Sequence, residues 1–175
     1  MKRSAELEKE AVLITASHMA AAARTAPKTC GIDNIEVFTI DDGKTRGLLI
    51  SKMIEISKNY NRPSLARDAD SIAASHAILA IGVKSNPSGL NCGFCGHITC
   101  EELKKTKGVC AYNSIDLGIA VSSAVLAADQ FHIDNRIMYS IGRACMELKL
   151  FSAGVNQALG IPLSATGKNP YFDRK

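Results

Sequence analysis

The sequence predicts an α+β fold in which helices pack as layers against a small sheet. Three observations predict it. Several long stretches carry apolar residues at helical spacing, and only two or three segments read as strands. The composition, 46% hydrophobic and 22% charged, is that of a chain able to pack a core. With 175 residues the chain reads as one α+β domain over 1–175, with a cysteine segment at about 85–111 as an excursion from it.

The elements follow in order. Residues 5–26 carry two apolar stripes, Leu7, Ala11, Ile14, His18 and Ala21 on one and Val12, Ala16, Met19 and Ala23 on the other. This predicts a helix buried on most sides, ended by Pro27 because the residue before proline avoids the helical region. Residues 35–40 are β-branched and partly alternating, a strand closed by Asp41-Asp42-Gly43. Asp41 or Asp42 can cap a second helix over 44–60, with Leu49, Met53, Ile56 and Tyr60 as its core stripe. A short helix is expected over 64–74. Residues 77–83 are a continuous apolar run, as in an interior strand covered on both faces. Residues 84–91 form a loop, and a short helix starts near 101–105. The most apolar helix spans 113–130, with Leu117, Val121, Val125 and Ala128 on one face and Ile119, Ser122 and Leu126 on another. A further helix is expected at 136–150, although Ile137-Met138-Tyr139 also suits extended chain, and a late strand at 158–163.

Charge and composition narrow the function. The net charge of +4 is spread along the chain without a basic run, and aromatic residues are only 5%, so no nucleic-acid partner is expected. The longest apolar stretch, 117–128, has 12 residues, short of the ~20 of a spanning helix. The N-terminus runs directly into acidic helical sequence instead of a signal-peptide core. The expectation is a cytoplasmic protein without membrane contact.

The six cysteines carry the chemistry. Cys30 and Cys145 stand alone and read as small buried hydrophobes; the other four form C-x2-C-x4-C-x9-C at Cys92, Cys95, Cys100 and Cys110. Three thiolates from one short loop and a fourth from nearby chain suit a cubane, whose four irons each take one ligand. Gly93 and Gly96 permit the tight positive-φ turns of such a loop and let N–H groups point at sulfur. Zinc is the competing occupant. Structural zinc usually joins two separated C-x2-C pairs, whereas one pair is present here, with His97 a possible substitute ligand. Cys110 precedes the 113–130 helix, whose positive N-terminal end would stabilise an anionic cluster, more so when reduced.

These residues carry resemblances. The stretches 91–100, 110–139 and 160–174 resemble a prokaryotic family described as ferredoxin domain-containing proteins, over nearly the whole chain, which implies [4Fe-4S] binding. The cysteine segment is also similar to the small iron–sulfur domain of electron-transport complex B subunits and corrinoid iron–sulfur proteins, where the last cysteine lies further along. A fainter resemblance is to FMN-dependent nitroreductases. It rests on Ala22-Ala23-Arg24-Thr25-Ala26-Pro27-Lys28, on the apolar 113–130 helix and on Gly160-Ile161-Pro162. That resemblance implies nitroreductase-like helix and sheet layers with an inserted iron–sulfur loop, a homodimer, and FMN at the subunit interface. In place of that family's Arg-x-Ser-x-Arg phosphate clamp, this chain has only Lys2-Arg3-Ser4. Arg24, Lys28, Lys168 and Arg174 are then the candidate flavin-binding residues. Arg24 and Lys28 also suit a helix C-terminus by charge alone, and Asp129 finds its nearest cation in Arg136.

The functional expectation is a [4Fe-4S] redox protein passing single electrons to a redox partner protein or small-molecule acceptor, with a flavin-linked oxidoreductase activity on a small molecule as the extension. The alternatives are a non-enzymatic electron carrier or redox sensor, and a zinc-stapled interaction domain. No catalytic residue is assigned, since no nucleophile–base set or phosphate loop has interpretable spacing.

Overall fold

The structure is a computed structural model that describes residues 1–106 and 108–172. Among the described residues, six helices flank a four-stranded sheet: α1 (Ser4–Thr25), β1 (Ile35–Ile40), α2 (Gly43–Asn59), α3 (Pro63–Ser71), β2 (Ala77–Lys84), α4 (Cys100–Lys104), α5 (Ala111–Gln130), β3 (Asp134–Asn135), α6 (Tyr139–Glu147) and β4 (Val155–Ser164). A 3-10 turn, Thr29–Gly31, links α1 to β1. The strands lie in the order β1-β2-β4-β3 and pair antiparallel throughout.

β2 is the axis of the fold. Its first seven residues are buried, and their side chains alternate between two cores. Ala77, Leu79, Ile81 and Val83 pack beneath α1 and α5, joined by Val12, Met19, Val121 and Ala124. Ile78 and Ala80 face the opposite layer, with Leu49, Met53, Leu65 and Ile141 from α2, α3 and α6. The period of two thus buries both faces of one strand, and the α+β layers expected from the sequence are present.

Local chemistry sets the boundaries. Asp42 caps α2, its carboxylate accepting the Thr45 N–H at 2.7 Å. The expected helix at 136–150 is shorter, because Met138 exchanges backbone hydrogen bonds with Gly160 at 2.8 and 3.0 Å and keeps 136–138 extended. Burial of α1 on most sides is corrected too. Val12, Ala16, Met19 and Ala23 are buried, but Leu7, Ala11, Ile14, His18 and Ala21 face outward. On α5, Leu126 likewise points out while Leu117, Val121 and Ala128 point in. By length and composition α5 is apolar enough to cross a bilayer, beyond the shorter stretch read from the sequence. Its inner face packs on α1 and the sheet, and buries Asn113 and Asp116 there.

α6 lies unusually close to β4. A Cβ on Gly142 would stand 1.9 Å from the Ala158 carbonyl oxygen, a backbone atom with no room to give. Gly142→Ala is therefore expected to lower stability by about 3 kcal/mol. Gly47, exposed on α2 with open space around it, should behave oppositely, with Gly47→Ala raising stability by ~0.5–1 kcal/mol. Urea unfolding of both variants checks the pair; a Gly142→Ala protein as stable as the parent would contradict this packing.

Candidate metal centre

The four clustered cysteines sit between the end of β2 and the start of α5. Past Lys84 the chain is tied down by an amide bridge. The Asn86 N–H donates to Asn113 Oδ1, and Asn113 Nδ2 donates to the Asn86 carbonyl, both at 3.1 Å. Asn113 is fully buried in the first turn of α5, so this pair is the hinge pin of the segment. The Asn86 amide also donates to Asn34 Oδ1 at 3.2 Å, which adds the start of β1.

Within the loop, Asn91 takes a left-handed conformation (φ 50°) and its Oδ1 accepts the Cys100 N–H at 2.8 Å, closing the turn across three of the cysteines. Gly93 and Gly96 have φ of 76° and 82°, and the Gly96 N–H donates to the Gly93 carbonyl at 2.9 Å. A side chain would be strained at either glycine, as the sequence implied. Thr99 caps α4 through a reciprocal box: its Oγ1 accepts the Glu102 N–H, and Glu102 Oε2 accepts the Thr99 N–H and, at 3.0 Å, that of Ile98. Cys110 is the N-cap residue of α5, with no side-chain hydrogen bond to the helix. The ring of Phe94 stacks on Tyr112, 5.6 Å between centroids and 8° between planes.

These local devices bring Cys92, Cys95, Cys100 and Cys110 around one small concavity, together with Asn91, Gly93, His97 and Thr99. Cys110 is buried, Cys95 and Cys100 are half-buried, and Cys92 is exposed; all are free thiols. Among the described residues no three His, Cys, Asp or Glu side chains are drawn tightly enough together to grip a single ion. Four thiols on one hollow are a soft donor set, suited to thiophilic metals over calcium or magnesium.

The flavin candidates are placed differently. The Arg24 guanidinium pairs with the Asp33 carboxylate and donates to the Ile35 carbonyl. Partial burial pulls the Asp33 carboxyl up, but the Arg24 hydrogen bond, the Ile35 N–H and the charges of Arg24 and Lys28 leave it below the usual value. Lys28 Nζ donates to the carbonyls of Arg24 and Ala26 at 2.5 and 2.9 Å, closing the C-terminus of α1. Both lie near Ile35, which pairs with Val83 at the cysteine end of β2. Lys168 lines a hollow beyond the opposite end, where Leu163 pairs with Ala77. Within one chain the structure does not bring these cations together, and Arg174 lies outside the described residues.

Three smaller expectations change. Arg136 donates to the Tyr171 carbonyl at 2.9 Å and lies over the Phe172 ring instead of meeting Asp129. Cys30 is exposed with φ 55°, and only Cys145 is a buried hydrophobe. Sequence reading also missed the polar pair on α5. Asn113 pins the loop, and buried Asp116 accepts the Thr29 N–H at 3.0 Å and its hydroxyl at 2.8 Å. The available signal was an Asn and an Asp three apart in the first half of a helix rich in apolar residues.

The family model for uncharacterized proteins containing a ferredoxin domain matches residues 106–174, which includes Cys110 and begins after the other three clustered cysteines. A protein of Archaeoglobus fulgidus described as uncharacterized is 44% identical over 97% of this chain and 95% of its own length. The chain belongs to this ferredoxin-domain family. In fold, this member is similar to a nitroreductase family protein from Clostridium novyi NT (TM-score 0.62, 14% identity, 87% of this chain and 73% of that one). It is also similar to a BluB-like flavoprotein from Clostridium difficile 630 (TM-score 0.56, 17% identity, 89% and 82%) and to B. megaterium NfrA2 (TM-score 0.58, 14% identity, 89% of this chain). The chain spans only 58% of the length of NfrA2. The nitroreductase-like layering expected from the sequence is therefore the fold of this chain.

Burial raises the Cys145 thiol to about 12, so it carries almost no thiolate near neutrality. Iodoacetamide at mildly alkaline pH is expected to label exposed Cys30 in the folded protein and Cys145 only after denaturation, as read by peptide mass spectrometry. Labelling of Cys145 at the rate of Cys30 would contradict its burial.

Proposed function

We propose that this protein is a [4Fe-4S] redox protein in which Cys92, Cys95, Cys100 and Cys110 each ligate one iron, working in a reducing, cytoplasmic compartment. The observation that carries the reading is the lining of one concavity by all four thiols. Membership of a family described by a ferredoxin domain supports it. Thiolates on one tetrahedral ion stand ~3.8 Å apart, given metal–sulfur bonds of ~2.3 Å. A single zinc would need all four at that spacing, whereas a cubane takes one thiolate per iron. The cluster, when bound, takes up and releases one electron at a time.

The chain's own groups define how the centre is held. The amide bridge of Asn86 and Asn113 fixes the approach from β2, and Asn91 sets Cys100 against the first half of the loop. The first turn of α5 presents the positive helix end beside Cys110 without a side-chain cap, which favours an anionic cluster there. The Phe94–Tyr112 stack joins the cysteine loop to the first turn of α5. Anaerobically isolated protein is expected to hold about four irons and four sulfides per chain, with visible absorption that bleaches on reduction. Serine at any of the four cysteines should lose or convert the cluster, and Asn91→Ala should shorten its lifetime in air severalfold. Zinc without iron or acid-labile sulfide would overturn the reading.

The fold supports an extension, a flavin-linked reductase of a small molecule. Stoichiometric FMN in the same sample favours it; cluster without flavin leaves an electron carrier or sensor that serves a redox partner protein.

The outward stripes of α1 and α5, with Ile14 54% and Leu126 60% exposed, fit a second copy of the chain. The accessible surface is 9520 Å², against ~8,300 Å² for a compact monomer of this mass, and the excess exceeds the ~800 Å² per partner of a standard interface. A homodimer is expected in sedimentation, dissociated by Leu126→Glu; a monomeric parent protein would contradict this.

A further inference from the structure

A second concave site lies at the opposite end of β2 from the cysteines. We propose that this hollow, between α3, the segment joining β3 to α6, and the stretch 168–171, binds a small molecule bearing a carboxylate or phosphate. Its volume is about 770 Å³, within the ~300–1,000 Å³ of ligand pockets. β2 alone separates it from the cysteine loop by ~24 Å at the rise of a strand, so the inference does not rest on the cluster.

The walls are built, not incidental. Asp68 on α3, almost fully buried, accepts the Ser140 hydroxyl at 2.7 Å and locks α3 to α6. The stretch 168–171 is held by Arg136 on the Tyr171 carbonyl, by Asn169 on Asp134 at 2.8 Å, and by the Tyr171 hydroxyl against Ser75 at 3.0 Å. Burial pushes the Tyr171 hydroxyl above its ordinary range, so it stays protonated. A hollow rigid before binding loses little entropy on taking a ligand.

Its chemistry selects anions. Arg67, Arg136 and Lys168 line it with Asp68 and Asp70, a net of one positive charge. The Asp68 carboxylate is already matched by Ser140 and by Arg67 at 3.3 Å, which leaves Asp70 at the rim as the opposing charge. Each guanidinium has five N–H donors in a planar fork, and the side-chain bonds above engage one on Arg67 and one on Arg136. The remaining donors suit the paired oxygens of a carboxylate or phosphate. Ala73, Ala74 and Pro170 supply an apolar surface for the body of the molecule.

Calorimetric titration of the purified full-length protein with inorganic phosphate and, separately, with succinate at fixed ionic strength tests the site and distinguishes the two oxyanions. Saturable binding of at least one is expected, weakened about tenfold or more by Arg67→Ala, whose side chain is largely exposed. Lys9→Ala, on α1 across the sheet, should bind as the parent does. If Arg67→Ala fails to fold, Lys168→Ala reads the same loss. No saturation with either probe, unchanged binding in the folded variant, or an equal loss in Lys9→Ala would overturn the proposal.

Discussion

The structure depends on one constraint: the cysteine loop is slung between a strand buried on both faces and a helix buried along its inner side. β2 and α5 cannot shift independently, because Leu79 and Ile81 share a core with Val121 and Ala124. Each such side chain contributes ~1.5–3 kcal/mol by burial, as an upper estimate. The loop has little of this anchoring. Phe94 and Ile98, its large apolar residues, are mostly exposed. Its shape rests on three positive-φ glycines, the Asn91 turn and the Asn86–Asn113 bridge. A metal bound by four thiolates would complete what the loop's own contacts leave marginal.

Electrostatics runs the same way. Glu101 and Lys104 neutralise each other on exposed α4, and Glu102 is spent on capping. The N-terminus of α5 adds a fixed field beside Cys110, a backbone property that no surface substitution removes. Placing the fourth cysteine at the N-cap position couples the cysteine loop directly to α5, whose inner face is part of the core.

Much of this was legible in the residues. β1 runs from Ile35 to Ile40 as read, because β-branched residues end at a sharp Asp-Asp-Gly stop. β2 extends one residue beyond its apolar run, and the four cysteines grouped by their spacing line one concavity. What local pattern does not carry is long-range pairing. Met138 is held extended by Gly160, twenty-two residues away in sequence, which shortened a helix that periodicity favoured. The outward stripe of α1 has the same spacing as the inward one, and only the position of the sheet decides which is buried. Arg24 and Lys28 suited a flavin by type; their partners, Asp33 and the last carbonyls of α1, are visible only once the chain turns back at Thr29–Gly31.

The two ends of β2 thus divide the molecule, thiols beyond Lys84 and paired cations ahead of Ala77. The claim on which the functional account rests is that the thiols hold several irons together. Iron-edge X-ray absorption of anaerobic protein tests it most directly. The account predicts an all-sulfur first shell with an iron neighbour in the second. A shell of nitrogen or oxygen, or an isolated metal without a metal neighbour, would contradict it.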